Sequence, residues 1–345
     1  MRLRTVLATV TAGLAVATCL GAAAPTDSRP RTGSCSPRVS IDSYSDALDK
    51  TEFQGTFVGN FSALAVDTDG GIAAVSDRSE LFGLDRVSLR PTSVVHLADE
   101  KGAQLDSEGL VVERDGSRLI SSETEPSIRR YSREGAMLAS LPVPEALRVA
   151  PAGRATRNLT FEGLTLGPGG RTLVAAMEGP IAGDGAGIMR LQTWKRHSPK
   201  QDFRLDEQYA YRADAGLGIS ETTATGDGRL LVLERGFTPG IGNTVRLYLA
   251  DLRHADDVSG VEYVTGQDGV RLVRKTLLAD IADCPSLGAP AKQPQPNPLL
   301  DNIEAMAVTS RGPGGRLKLL LASDDNQNPT QITRFYRLSV CLPQH

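Results

Sequence analysis

Histidine is scarce in this chain, 4 in 345 residues, and His96, His197, His254 and His345 all fall outside the repeated segments described below. A histidine-activated serine nucleophile and a histidine-rich zinc site are therefore unsupported. No G-x-S-x-G elbow occurs, since Gly218-Ile219-Ser220-Glu221 departs from it, and no G-x-x-x-x-G-K phosphate cradle is present. Aromatic residues make up only 5%, with the single Trp194, so the stacking platforms of a sugar-cleaving site are missing. Basic charge is not in excess either: 38 Lys and Arg stand against 41 Asp and Glu. Nucleic acid, which needs a basic face, is disfavoured as a partner.

Long apolar runs are absent beyond one at the start, Val6 to Leu20, so no other segment reaches the roughly 20 apolar residues of a membrane span. Arg2 and Arg4 precede that run and Ala22-Ala23-Ala24 follow it, the pattern of a secretory signal peptide over residues 1–24. A lipid anchor on Cys19 is the weaker reading, because Thr18 stands where a smaller residue is expected. Removing residues 1–24 takes away two arginines and no acid, which moves the formal charge from -3 to -5. A flexible segment, 25–36, and a single monomeric domain, 37–345, are expected to follow in a periplasmic or extracellular protein. Of the four cysteines three remain, Cys35, Cys284 and Cys341. Pairing Cys35 with Cys341 would join the chain ends and is the expected bridge, with Cys284 to Cys341 the alternative.

What the sequence does have is a five-fold repeat of paired apolar strands. Innermost strands start near positions 62, 108, 162, 219 and 303, spaced by 46, 54, 57 and 84 residues. Each crosses a turn rich in Gly or Asp, such as Asp67-Thr68-Asp69-Gly70-Gly71 or Gly312-Pro313-Gly314-Gly315, and returns in a second strand ending on a carboxylate. The pattern predicts an all-β fold, a β-propeller of four-stranded blades. The 84-residue gap accommodates either an insertion or a sixth, degenerate blade. Its Gln293-Pro294-Gln295-Pro296-Asn297-Pro298 stretch cannot be sheet interior. The last unit lacks a fourth strand, and the segment Arg38 to Phe57 is expected to supply it and close the ring.

In a propeller the start of the first strand and the end of the second meet at one channel mouth. That geometry predicts an inner ring of Glu108, Glu162, Glu221 and Glu304, with Asp77, Glu123, Glu178, Glu234 and Asp324 outside it. So many carboxylates cannot stay ionised and unpaired at low dielectric. Either they hold a hard cation such as calcium, helped by Asn158, Asn302, Asn326 or Asn328, or they pair with backbone amides and with Arg78, Arg157 or Arg235 as scaffolding. Arg78, Arg235 and Arg129 could hold an anionic substrate beside a cation. Asn60 and Asn158 carry the glycosylation pattern but are expected to face the channel and stay unmodified.

The combination of Ser76-Asp77-Arg78 with Leu81-Phe82, Phe161-Glu162-Gly163-Leu164, Leu233-Glu234-Arg235-Gly236 and Asp301-Asn302-Ile303-Glu304-Ala305-Met306 resembles the secreted bacterial proteins grouped as phytase-like, with "esterase-like activity of phytase". The resemblance runs from about Val39 to Leu338 and implies a propeller-like domain with calcium-dependent phosphoesterase or esterase activity. The expected metal ligands are Glu108, Glu162, Glu221, Glu304, Asp77, Glu234 and Asp324. Glu162, Glu178, Arg78 and Arg235 are the candidate catalytic residues, acting on a small phosphate or carboxylic ester. A non-catalytic ligand-binding propeller of the cell envelope or extracellular space, or a calcium-dependent lactonase-like enzyme, would carry the same acidic mouth.

Overall fold

Short runs of Val, Ile, Leu and Ala between Gly- and Asp-bearing turns extend into 22 strands in the computed structural model, which describes residues 33–344. The expected signal peptide, residues 1–24 with Cys19, and residues 25–32 of the expected flexible segment lie outside the described residues. Strand β1 (Val39–Ser45) and a small hairpin of β2 (Thr51–Phe53) and β3 (Thr56–Val58) come first. Blade 1 is β4 (Phe61–Val66), β5 (Ile72–Ser76), β6 (Glu80–Leu84) and β7 (Pro91–His96), and blade 2 is β8 (Ser107–Val112), β9 (Arg118–Ser122), β10 (Ser127–Tyr131) and β11 (Met137–Ser140). Blade 3 is β12 (Phe161–Leu166), β13 (Thr172–Met177), β14 (Ile188–Lys195) and β15 (Arg204–Arg212). Blade 4 is β16 (Gly218–Ala224), β17 (Leu230–Thr238), β18 (Gly242–Asp251) and β19 (Arg274–Asp280). Blade 5 is β20 (Ile303–Gly312), β21 (Arg316–Ser323) and β22 (Phe335–Cys341), and β1 pairs with β22 to complete it.

The innermost strands β4, β8, β12, β16 and β20 pack in that order, and β20 returns to β4. The fold is a five-bladed β-propeller, closed by the N-terminal strand as the missing fourth strand predicts. Five apolar clusters fill the five blade interfaces; one joins Ala63, Val75 and Leu81 of blade 1 to Leu110, Ile120 and Tyr131 of blade 2, another Val111 and Leu119 to Phe161, Leu173 and Trp194. The 84-residue gap is an insertion, not a sixth blade. Within it, Val258 and Val273 donate backbone bonds to Gln208 and Ala210 (2.8 and 2.9 Å), so the loop after β18 covers the exposed edge of β15. The stretch around Pro144 to Val149 holds a single 3-10 turn, Glu145–Leu147.

The disulfide corrects the expected pairing, for it joins Cys35 to Cys284 and leaves Cys341 free. The amides of Cys35 and Ser36 both donate to Val39 O, at 2.9 and 3.1 Å, so the chain doubles back just before β1. That turn carries Cys35 away from β22 to the loop after β19. Both half-cystines sit in the apolar cluster between blades 4 and 5, with Val39, Leu247, Ile281 and Leu338. The bridge therefore ties the closing strand to blade 4 across 249 residues of sequence.

Glycine in the Glu-Gly pairs has a packing cause. A Cβ on Gly163 would stand 2.4 Å from Thr222 N, and one on Gly109 2.5 Å from the Leu164 Cβ. Each glycine lets the next blade's innermost strand approach, rather than a ligand.

Candidate functional site at the channel mouth

Four backbone bonds build the mouth. The amides of Asp77, Glu123, Glu178 and Asp324, each one residue past its second strand, donate to the carbonyls of Asn60, Asp106, Thr160 and Asn302, at 3.1, 3.0, 2.7 and 2.9 Å. Each acceptor directly precedes an innermost strand, so the outer carboxylates of blades 1, 2, 3 and 5 lie beside the inner-strand starts. A register irregularity follows the first residue of β4, β8, β12 and β20 and the second residue, Ile219, of β16. Such bulges re-aim side chains, here at the mouth of the channel.

Blade 4 differs by one residue on both strands. Ile219 pairs with Glu234, as Phe61 does with Ser76, Ser107 with Ser122, Phe161 with Met177 and Ile303 with Ser323. One step onward, Ser220 takes the inner position held elsewhere by Ser62, Glu108, Glu162 and Glu304. Arg235 takes the outer position held by Asp77, Glu123, Glu178 and Asp324. The expected alignment of the fourth unit, which put Glu221 and Glu234 in the rings, is thus displaced by one. Seven of the nine anticipated carboxylates gather at the mouth, and these two go elsewhere.

Glu221 turns into the channel wall and accepts from the amides of Thr222 (2.7 Å) and Leu164 (3.3 Å) and from that of Met306, so it bridges blades 3, 4 and 5. Burial pushes its carboxyl well up, against those amide bonds. Glu234 is fully buried and accepts from Tyr211 Oη (2.6 Å), the Asp214 amide (2.7 Å) and Lys275. It is a strut within blades 3 and 4.

At the mouth, Asp106, Glu108 and Glu123 bring one carboxylate oxygen each within 4.8 Å of the others, and so do Glu123, Glu162 and Glu178. Glu123 belongs to both groups. Asp106 was not anticipated; its signal is its place directly before β8 in the left-handed backbone region (φ 54°), matching Asn60 before β4 (φ 55°). Burial, then the surrounding carboxylates, drives Glu108 and Glu162 well above the usual carboxylate range. Burial likewise raises Glu123 to about 8 and Glu178 and Asp77 to about 7, and it raises Asp324 strongly. One Glu162 oxygen, one Asp77 oxygen and the hydroxyls of Ser62 and Ser220 are buried without a hydrogen-bond partner among the described residues.

Positive charge enters from blade 4. Arg235 places Nη2 2.9 Å from Glu304 and 3.4 Å from Glu178, while its Nε is buried and has no hydrogen-bond partner among the described residues. Arg78 is half exposed on the rim, with Nε 3.6 Å from Asp77. Arg129 pairs with Glu100 at 3.0 Å, and Arg157 is exposed. Asn302 donates to Glu304 at 3.0 Å. Asn60 is buried, its side-chain oxygen accepting from the Gln327 amide at 3.0 Å, whereas Asn158 is exposed in the loop before β12 and not at a strand start.

A family model described as "Phytase-like: Esterase-like activity of phytase" matches residues 56–327, most of the chain and every residue of both rings. The chain belongs to the phytase-like family. A curated relative of this phytase-like chain, an uncharacterized secreted protein of Arthroderma benhamiae, is 29% identical over 106 residues, covering 24% of this chain and 21% of the relative. The chain thus spans about a fifth of that relative's length. Among solved structures, Myxococcus xanthus glutaminyl cyclase matches with a TM-score of 0.43 at 11% identity, over 88% of this chain and 97% of that one. A streptogramin B lyase matches with 0.37 at 11%, over 83% and 84%. Neither likeness bears on chemistry. Among the described residues no helix is long and apolar enough to cross a membrane.

Proposed function

We propose that this phytase-like protein is an exported hydrolase that cleaves a small phosphate or carboxylic ester at the acidic mouth with the help of a divalent cation, calcium by its donor set. The observation that carries the reading is the pair of carboxylate groups sharing Glu123, together with the partnerless buried oxygen of Glu162 in the second of them. An all-oxygen, mostly carboxylate cluster suits a hard cation, which takes about 6 to 8 such ligands. Asp106, Glu108, Glu123, Glu162 and Glu178 would hold it, with Glu304, Asp77 and Asp324 completing the negative field. When bound, the cation would polarise the ester oxygen and favour an attacking water.

The chain's own groups orient the substrate. Arg235 is held in place by Glu304 and Glu178, and its partly exposed guanidinium would balance negative charge developing on the ester. Arg78, exposed on the rim, draws an anionic ester toward the opening. The disulfide and the relative described as secreted support an extracellular setting. The test is hydrolysis of 4-nitrophenyl phosphate and 4-nitrophenyl acetate by calcium-loaded protein and by protein in chelator. Turnover that chelator abolishes is expected. Absence of turnover from folded, calcium-loaded protein overturns the hydrolase reading in favour of a ligand-binding propeller.

A further inference from the structure

Blade 4 differs from the others above the mouth as well as inside it. Strands β5, β9, β13 and β21 end one residue short of their outer-ring side chain, at Ser76, Ser122, Met177 and Ser323. Strand β17 alone runs through its outer-ring residue, Arg235, and continues three residues to Thr238, paired with β18 throughout. The β17–β18 hairpin therefore projects beyond the ring. Next to its turn, at the Phe237–Asn243 pair, the hairpin is braced by the proline-rich loop, where Gln295 accepts from the Asn243 amide at 2.8 Å.

The direction of its side chains follows from strand alternation. Pairing of β17 with β18 is regular from Leu230 with Ala250 to Thr238 with Gly242, so residues two apart share a face. Arg235 shares the face of Leu231 and Leu233, which pack toward blade 5, and reaches Glu304 and Glu178 at the mouth above them. Phe237 stands on that same face, roughly 7 Å further out at about 3.3 Å per residue. Phe237 is 52% exposed and Ile241, at the hairpin tip, 61%. On the blade 3 side, Leu159 is 36% exposed and lies against Gly179, next to Glu178. Apolar side chains thus flank the Glu178–Arg235 edge of an otherwise acidic mouth. A lone exposed apolar residue needs no explanation, but Phe237 stands two residues beyond the arginine of a polar site and on its face of the strand.

We infer that Phe237, with Ile241 beside it, is the specificity determinant for the apolar group of the substrate, an alkyl or aryl chain on the ester held below. The inference rests on the hydrolase reading for the identity of that ester, and it selects esters with an apolar arm over small, wholly polar phosphates. An alkyl chain laid across Phe237 would bury apolar area on both partners, worth roughly tenfold or more in affinity for several methylenes.

The test measures binding, so that it does not depend on turnover. Calcium-loaded protein is titrated calorimetrically with methylphosphonate and with octylphosphonate. Wild type is expected to bind the octyl compound roughly tenfold tighter or better, and Phe237→Ala to reduce that ratio to about twofold while methylphosphonate binding stays unchanged. Leu277→Ala, an equally exposed site on the outer strand of the same blade, keeps the wild-type ratio. A wild type without chain-length preference, or a preference that survives Phe237→Ala, overturns the inference. Ester turnover without that preference leaves the hydrolase reading standing alone. A Phe237-dependent preference without turnover defeats the hydrolase reading and keeps the apolar subsite.

Discussion

Blades 2 and 3 carry an aspartate and four glutamates at the mouth, Asp106, Glu108, Glu123, Glu162 and Glu178, where blade 4 presents a serine and an arginine at the same ring positions. The backbone is one design repeated, with the same bulge and the same strand pairing in each unit. At the ring positions the difference lies in the side chains displayed, and above them in the longer β17–β18 hairpin. A symmetric scaffold thereby acquires a direction: a side able to hold a cation, and a side that donates hydrogen bonds and carries an apolar edge. Five identical acidic blades would bind charge without orienting a substrate.

The largest way to disturb that contrast is to remove Arg235, the cation that faces Glu304 and Glu178 at the mouth. Arg235→Met leaves Glu304 and Glu178 facing each other unpaired, and taking one partner from a buried ion pair costs about 3–5 kcal/mol. The cost depends on pH, with a definite sign. Burial holds Glu178 at about 7 and Glu123 at about 8, above the ordinary carboxylate value, so without a cation the fold binds more protons than the unfolded chain. Stability contributed by such groups is complete below about pH 4.5 and is lost as pH rises through the folded values near 7 to 8. Arg235 holds Glu178 and Glu304 down by its charge, so its loss raises both further and extends the decline to higher pH. Thermal unfolding in chelator should show the variant's deficit growing from pH 5 to pH 8; a deficit that shrinks over that range would remove Arg235 from its charge-balancing role.

A smaller effect separates ligands from scaffolding on the acidic side. Glu162→Gln with Glu304→Gln removes two of the oxygens' charges with little change of shape, and is expected to lower ester turnover roughly 100-fold, about 2.7 kcal/mol of barrier. It should also reduce the calcium-induced rise in Tm, because that rise measures binding to the folded state. A full rise in the double variant would assign both residues to structure.

Sequence reasoning located the five units, the closing strand and seven mouth carboxylates, because a repeat marks its own equivalent positions. It misplaced the fourth unit by one residue because Ser220-Glu221 and Glu234-Arg235 each offer a carboxylate beside the correct position. Only strand register decides between neighbours, since one step turns a side chain to the other face. Asp106 was hidden for another reason: it precedes its strand and reaches the site through the left-handed turn at φ 54°. The disulfide escaped because chain-end proximity argues for Cys341, whereas the local turn at Val39 sends Cys35 the other way.

The displaced register also makes the smallest and sharpest prediction. Glu221 and Glu162 both read as ring glutamates in the sequence, yet Glu221 spends its oxygen on the amides of Thr222 and Leu164. Glutamine offers the same acceptor at the same reach, and burial already disfavours the charged carboxylate there. Glu221→Gln should therefore shift stability by less than about 1 kcal/mol, the scale of one hydrogen bond, and leave the calcium-induced rise in Tm intact. A variant that lost calcium response as Glu162→Gln is expected to would return Glu221 to the ring of ligands. It would also mean that the channel interior, and not only its mouth, takes up the cation.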